Sequence, residues 1–139
     1  MAMTMHVDIV SAETEIFSGT ITELYAPAEM GEVGVMPRHA PLMTRMKAGT
    51  VRVVTQEGKE LSFYVSGGIL EVQPHVVTVL SDTALRAADI DEAAAIEARA
   101  RAEAAMADKK SDHEYALAKA ELLEAAAMIE TIKKYKSNK

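Results

Sequence analysis

The stretch SDTALRAADIDEAAAIEARARAEAAMADKKSDHEYALAKAELLEAAAMIETIKKYKSNK, residues 81–139, contains 18 alanines and neither glycine nor proline. All 7 glycines and all 4 prolines of the chain lie before residue 75. Gly and Pro punctuate strands and turns, whereas a run free of both and rich in Ala, Glu, Lys and Arg is what continuous helix requires. Two different physical objects are joined in one chain of 139 residues.

Within the tail, Asp89-Ile90-Asp91-Glu92 offers an Asp whose side chain can accept from the backbone three residues on and a Glu that can reach back. Ser111-Asp112-His113-Glu114 repeats the device, with Asp108-Lys109-Lys110 between. Two such capping boxes predict helices over residues 90–107 and 112–134, and a short link favours an antiparallel pair. Ala95, Ala98, Ala102, Ala105 and Met106 on the first, and Tyr115, Ala118, Leu122, Ala126 and Ile129 on the second, fall at helical spacing as facing surfaces. A buried methyl is worth about 0.8 kcal/mol, against roughly 1.5–3 kcal/mol for a buried Leu or Ile. The hairpin is therefore expected to be weakly held, yet its residues keep helix propensity when tertiary contacts go.

Ahead of the tail the period is two. Met5, Val7 and Ile9 alternate with His6 and Asp8. Val51, Val53 and Thr55 alternate with Arg52 and Val54, Gln56-Glu57-Gly58-Lys59 breaks the run, and Leu61, Phe63 and Val65 resume it as a hairpin. After Ser66-Gly67-Gly68 a second hairpin runs over residues 69–73 and 76–80 about a Pro74-His75 turn. With residues 20–26 and the segments around Val35 and Leu42, at least seven short strands precede the tail. That density implies two packed antiparallel sheets or a flattened barrel. The class is α+β, strands first and helices second, with domains expected at residues 1–84 and 85–139.

Composition excludes several functions. Residues 1–80 carry 5 basic and 9 acidic side chains and residues 81–139 carry 10 and 12, so the net charges of −4 and −2 sum to −6. An acidic chain without a basic patch argues against nucleic acid or anionic lipid as a primary partner. The absence of cysteine removes disulfides and thiolate chemistry and fits a reducing cytoplasm. Residues 1–10 lack a basic start followed by an apolar run, and no stretch approaches the roughly 20 apolar residues that span a bilayer. No direct membrane insertion is expected.

No catalytic, cofactor or metal site is expected either. His6, His39, His75 and His113 have no paired ligand spacing. Ser66-Gly67-Gly68 is followed by a strand and no lysine, which makes it a tight bend rather than a phosphate loop. No Ser, His and Asp constellation is suggested. By residue type alone Glu32, between Gly31 and Gly34, belongs to a solvated loop, and Lys109 and Lys110 solvate a turn.

Ser11-Ala12-Glu13 with Phe17-Ser18-Gly19, Gly31-Glu32-Val33-Gly34-Val35-Met36-Pro37-Arg38-His39-Ala40-Pro41-Leu42-Met43-Thr44, Ser66-Gly67-Gly68-Ile69-Leu70-Glu71-Val72 and Val77-Thr78-Val79-Leu80-Ser81-Asp82-Thr83-Ala84 resemble, in this order, the epsilon subunit of bacterial F-type ATP synthase. The resemblance runs from Met3 to about Tyr135. It implies an N-terminal antiparallel β-sandwich of ten strands and a C-terminal antiparallel two-helix hairpin. It implies a noncatalytic place in the central stalk, peripheral on the cytoplasmic face of the bacterial inner membrane, with the sandwich on the gamma subunit and the c-subunit ring. It further implies a hairpin that inhibits ATP hydrolysis when extended toward the alpha and beta subunits. Glu29, Glu32 and His39 then become candidates for contact with the ring, and Lys109 and Lys110 for contact with the catalytic head. Some members of the family bind ATP in the folded hairpin, through a pattern of Ile or Leu, Asp, two variable residues, Arg and Ala. Here Ile90-Asp91-Glu92-Ala93-Ala94-Ala95 puts alanine where arginine is expected, and no arginine follows Arg101. Nucleotide sensing is thus the alternative function, and weak ATP binding the expectation.

Overall fold

The structure, a computed structural model, describes residues 3–108 and 111–137. Among these, nine strands precede two helices: β1 (Met5–Ser11), β2 (Glu15–Ala28), β3 (Gly31–Val35), β4 (Leu42–Met46), β5 (Gly49–Thr55), β6 (Glu60–Val65), β7 (Gly68–Val72), β8 (Val76–Ser81), β9 (Ala84–Arg86), α1 (Glu92–Ala107) and α2 (Asp112–Ser137). A 3-10 turn, Ala87–Asp89, joins the strands to the helices. β9, at 3 residues, is too short to show a period.

Nine strands serve where the resemblance implies ten, because β2 runs unbroken for 14 residues and belongs to both layers. Its first half pairs with β1 and its second half with β3 and β5. One layer continues from β1 through β8, β7 and β4, the other through β5, β6 and β9. The inward residues are those the alternation selects: Met5, Val7 and Ile9 of β1, Val51 and Val53 of β5, Phe63 and Val65 of β6, Leu70 and Val72 of β7, Val77 and Val79 of β8. Strand β1 runs parallel to β8, from His6 beside Val76 to Ser11 beside Ser81, and the other strand pairs are antiparallel. The Ser66-Gly67-Gly68 bend is tight for a steric reason. Gly68 has φ +132°, and a Cβ there would overlap the Leu80 carbonyl oxygen.

The first helix starts two residues later than the capping pattern suggests. Asp89 lies in the 3-10 turn that buries Ala87, Ile90 is extended, and Asp91 is the cap, its carboxylate accepting from the Ala94 N–H at 3.1 Å. With Asp91 at that position the third helical residue is Ala94, so no reciprocal glutamate exists. Glu92 instead opens the helix, where a negative charge suits the N-terminal dipole, and meets Lys136 near the end of α2 at 2.6 Å. At the second helix the Ser111 hydroxyl accepts from the Glu114 N–H at 3.1 Å, as the pattern requires.

The packing faces also differ from the expected ones. On α1, Ala95 and Ala102 are buried, Ala98 and Met106 are half-buried and Ala105 is exposed. On α2 the α1-facing row is Ala118, Leu122, Ala125, Ile129 and Ile132, so Ala125 takes the place expected for Ala126, which is exposed. A second row, Ala127 and Thr131, lies half a turn away on the opposite side of the helix and is also buried. It is covered by β5 and β6, which α2 packs against. The C-terminal half of α2 is therefore enclosed from two sides.

Candidate functional site

The outer faces of the two layers differ. On the β5–β6 side the outward residues Thr50, Ser62 and Tyr64 are buried although they point away from the core, because α2 lies over them. The Thr50 and Thr131 hydroxyls meet at 2.6 Å, and Thr131 also donates to the Ala127 carbonyl at 2.8 Å. Tyr64 is 1% exposed. Burial, and after it the charge of Glu124, push its hydroxyl up to about 12.

The same face continues past the helix into a charged cluster centred on Arg52. Registers across β3, β2, β5 and β6 place Gly34, Tyr25, Arg52 and Ser62 side by side. The Arg52 guanidinium lies 4.6 Å over the Tyr25 ring, donates to Glu60 at 3.0 Å and pairs with Glu32 at 3.6 Å. Its Nε is buried without a hydrogen-bond partner among the described residues. Tyr25 donates to Glu23 at 2.6 Å, and this bond above all, with burial behind it, holds its hydroxyl above the usual range. A Cβ on Gly34 would stand 3.2 Å from the Tyr25 ring, tighter than an ordinary packing contact.

The residues singled out by sequence take separate places. Glu29 sits in the exposed turn before β3, its N–H donating to the Arg45 carbonyl at 3.1 Å, beside Met30 at 99% exposure. Glu32 is on β3 rather than in a loop, paired in register with Pro27 of β2 and with its half-exposed carboxylate 3.6 Å from Arg52. His39 lies in the turn after β3, its Nδ1 donating to the Ala40 carbonyl at 2.6 Å. Glu29 and His39 thus flank opposite ends of a strand that spans about 16 Å at roughly 3.3 Å per residue. Lys109 and Lys110 lie outside the described residues.

The outer face of the β1, β8, β7 and β4 layer is uncovered and partly apolar. Met43 is 65% exposed, Ile69 41% and Leu80 45%, and Ile69 stands between Arg45 and Leu80 in the register. Sequence reading passed over these residues. Their signal was present in Ile69-Leu70 and Val79-Leu80, where apolar side chains occupy both faces of an antiparallel strand. The same layer carries His6, Asp8 and Ser18, brought together because Asp8 pairs with Ser18 across β1 and β2. Ser18 donates to Asp8 at 2.8 Å and lies 3.1 Å from His6 Nε2, which is 3.0 Å from Asp8. A nucleophilic triad needs the carboxylate and the hydroxyl on different ring nitrogens. Here both meet Nε2, so the group is a hydrogen-bonded cluster without nucleophilic geometry. The Ser18 hydrogen bond first, then the hydrogen bond and charge of His6, outweigh burial and hold Asp8 below the usual carboxylate range.

Between α1, α2 and the 3-10 turn runs a groove of about 660 Å³ lined in part by Asp89, Asp91, Ala94, Arg101, Glu121 and Glu124. One guanidinium faces four carboxylates where a triphosphate would require the opposite balance. Among the described residues no group of three or more His, Asp or Glu could hold a metal ion, and no helix is long and apolar enough to cross a membrane.

Residues 4–87 match the family profile described as ATP synthase, Delta/Epsilon chain, beta-sandwich domain, and residues 88–133 match ATP synthase, Delta/Epsilon chain, long alpha-helix domain. The chain is 67% identical over 134 residues to the ATP synthase epsilon chain of Nitrosococcus oceani, covering 96% of each. It is 57% identical over 139 residues to ATP synthase epsilon chain 1 of Methylococcus capsulatus, covering 100% of this chain and 99% of the relative. Among solved structures, a chain of the Euglena gracilis mitochondrial ATP synthase, in an assembly of OSCP, F1 and c-ring, superposes with a TM-score of 0.82 at 18% identity over 90% of this chain and 79% of that one.

Proposed function

Because this chain belongs to the delta/epsilon chain family of ATP synthase, as an epsilon chain and hence a noncatalytic subunit, we propose that it couples rotation in the central stalk through its sandwich and restrains ATP hydrolysis through its hairpin. The observation that carries the proposal is the contrast between the two outer faces. One is covered by α2, and the other exposes Met43, Ile69 and Leu80 on the paired strands β4, β7 and β8. An apolar patch on a strand layer marks a docking surface, and the gamma subunit is its proposed occupant. Glu29, Glu32 and His39 are proposed to meet the c-subunit ring, for which Glu32 would share its carboxylate with Arg52 or release it. Lys109 and Lys110 are proposed to meet acidic surface on the alpha and beta subunits when the hairpin extends. The subunit is proposed to lie at the cytoplasmic face of the bacterial inner membrane, held there by its partners.

Reconstitution of the catalytic head with the full chain and with residues 1–86 tests both halves of the proposal. Both forms should bind gamma, and only the full chain should lower ATP hydrolysis. Equal inhibition by the short form would assign inhibition to the sandwich and remove the hairpin's role. The groove's excess of carboxylates supports ATP affinity no better than millimolar, about −4 kcal/mol, and calorimetry yielding a micromolar constant would restore the nucleotide-sensing alternative.

A further inference from the structure

We propose that Thr50 and Thr131 form a directional latch that sets where the hairpin docks and biases it toward the docked state. Thr131 is fully buried and Thr50 is 5% exposed, and the two are the only polar pair, 81 residues apart in sequence, that the described residues bury between α2 and the sandwich at 2.6 Å. A hydroxyl has one proton and can accept twice. Thr131 commits its proton to the Ala127 carbonyl at 2.8 Å, because a carbonyl can only accept. The proton between the two threonines therefore belongs to Thr50. The relay runs from Thr50 to Thr131 to Ala127, from sheet to helix.

Direction makes the two positions unequal. When α2 leaves, Thr131 keeps its bond to Ala127, and Thr50 gives up a helix acceptor for water. In the docked state the dependence is reversed. Removing the Thr131 oxygen strands a buried donor on Thr50, whereas removing the Thr50 hydroxyl leaves Thr131 still donating to Ala127. A stranded donor is the costly case, and replacing both partners by apolar groups of the same shape is close to neutral. The other buried residues of this face are Ala127 on the helix and Ser62 and Tyr64 on the sheet. A slip of α2 by one residue would rotate Thr131 by about 100° off the sheet, so the pair also fixes register.

The latch presupposes a hairpin that leaves the sandwich, and the test separates the two ideas. Tyr64, 1% exposed beneath α2, is accessible to tetranitromethane when the hairpin is away, and Tyr25, half-buried under Arg52 on the part of the same face beyond the helix, is the internal reference. Nitration of Tyr64 relative to Tyr25 is followed by mass spectrometry in the full chain, in Thr131→Val, in Thr50→Val and in the double variant. Thr131→Val should speed Tyr64 nitration about fivefold, Thr50→Val about twofold at most, and the double variant should return to within about twofold of the parent. Recovery in the double variant also excludes misfolding by valine at position 131. Equal acceleration in Thr131→Val and the double variant would show that shape alone matters and overturn the latch. Absence of Tyr64 nitration in every variant while Tyr25 reacts would overturn the departing hairpin, and the latch with it.

Discussion

The sandwich core and the hairpin interface are both dry and are differently built, the first of large side chains and the second mostly of alanines with Ile129 and Ile132. Leu24 and Val53 are fully buried and Phe63 is 2% exposed, while Ala102 is fully buried and Ala95, Ala118 and Ala125 are 3–4% exposed. What separates them is the area each side chain removes from water. A large residue buries several times what a methyl does, and stabilisation follows area. Fractional exposure therefore says nothing here about which contact gives way first. On the proposed function, a body that holds its shape under load and an arm that detaches share one chain because the arm's interface is mostly alanine, with Ile129 and Ile132 its large buried side chains.

The comparison breaks if large and small residues cost alike. Phe63→Ala should lower sandwich stability by about 3–5 kcal/mol in urea unfolding. Ala125→Gly should cost about 1–2 kcal/mol, helix propensity and the buried methyl together, felt in the hairpin and not in the sandwich. A comparable loss from both would mean that an alanine of the hairpin interface holds as much as a large side chain of the sandwich core.

The two outer faces supply the next contrast. Ile69→Glu with Leu80→Glu should weaken binding of gamma by about 30-fold or more, the loss of a hot spot of about 2 kcal/mol, while leaving the unfolding midpoint nearly unchanged. Undiminished gamma binding would move the docking surface elsewhere. On the covered face, Tyr64 makes docking sensitive to alkali. Burial raises its pKa from 10.0 to about 12, so its contribution to docking should be fully present below pH 10 and fall away as pH rises from 10 toward 12, by an amount on the order of 1–3 kcal/mol. Hydrogen exchange in α2 should show this loss, and Tyr64→Phe should abolish it. The smallest effect concerns the cap. Asp91→Ala should cost α1 about 1 kcal/mol by circular dichroism melting of the hairpin, and Asp89→Ala close to nothing. The reverse order would restore Asp89 as the cap.

Period two in residues 5–9, 51–55 and 61–65 and the glycine- and proline-free tail make the two-part architecture legible in the sequence. Each depends on neighbours close in sequence. What escaped depends on partners far away. Glu32 reads as a loop residue until β3 is laid against β2 and β2 against β5, which brings Arg52 within reach. The Ala127 and Thr131 row was missed because a single stripe on α2 suffices for a hairpin, and only the sheet beneath calls for a second. The cap moved from Asp89 to Asp91 because burial of Ala87 shapes the turn ahead of it. The roles of Glu29, His39, Lys109 and Lys110 turn on partner surfaces, which one chain's sequence does not contain.

The parallel pairing of β1 with β8 bears on how the molecule is made. His6 lies beside Val76, 70 residues later in the chain (76 minus 6). Closing so long a loop costs entropy before any contact repays it, and sheets built on distant pairs fold slowly. On a ribosome the first strand must wait, its Val7 and Ile9 unsheltered on that side, until the eighth has emerged. The two helices form from local contacts as soon as they are synthesised, and by then the surface they dock on is complete. The order of synthesis thus delivers the body before the arm, and a nascent chain halted before residue 76 is the form of this protein with most to gain from a chaperone.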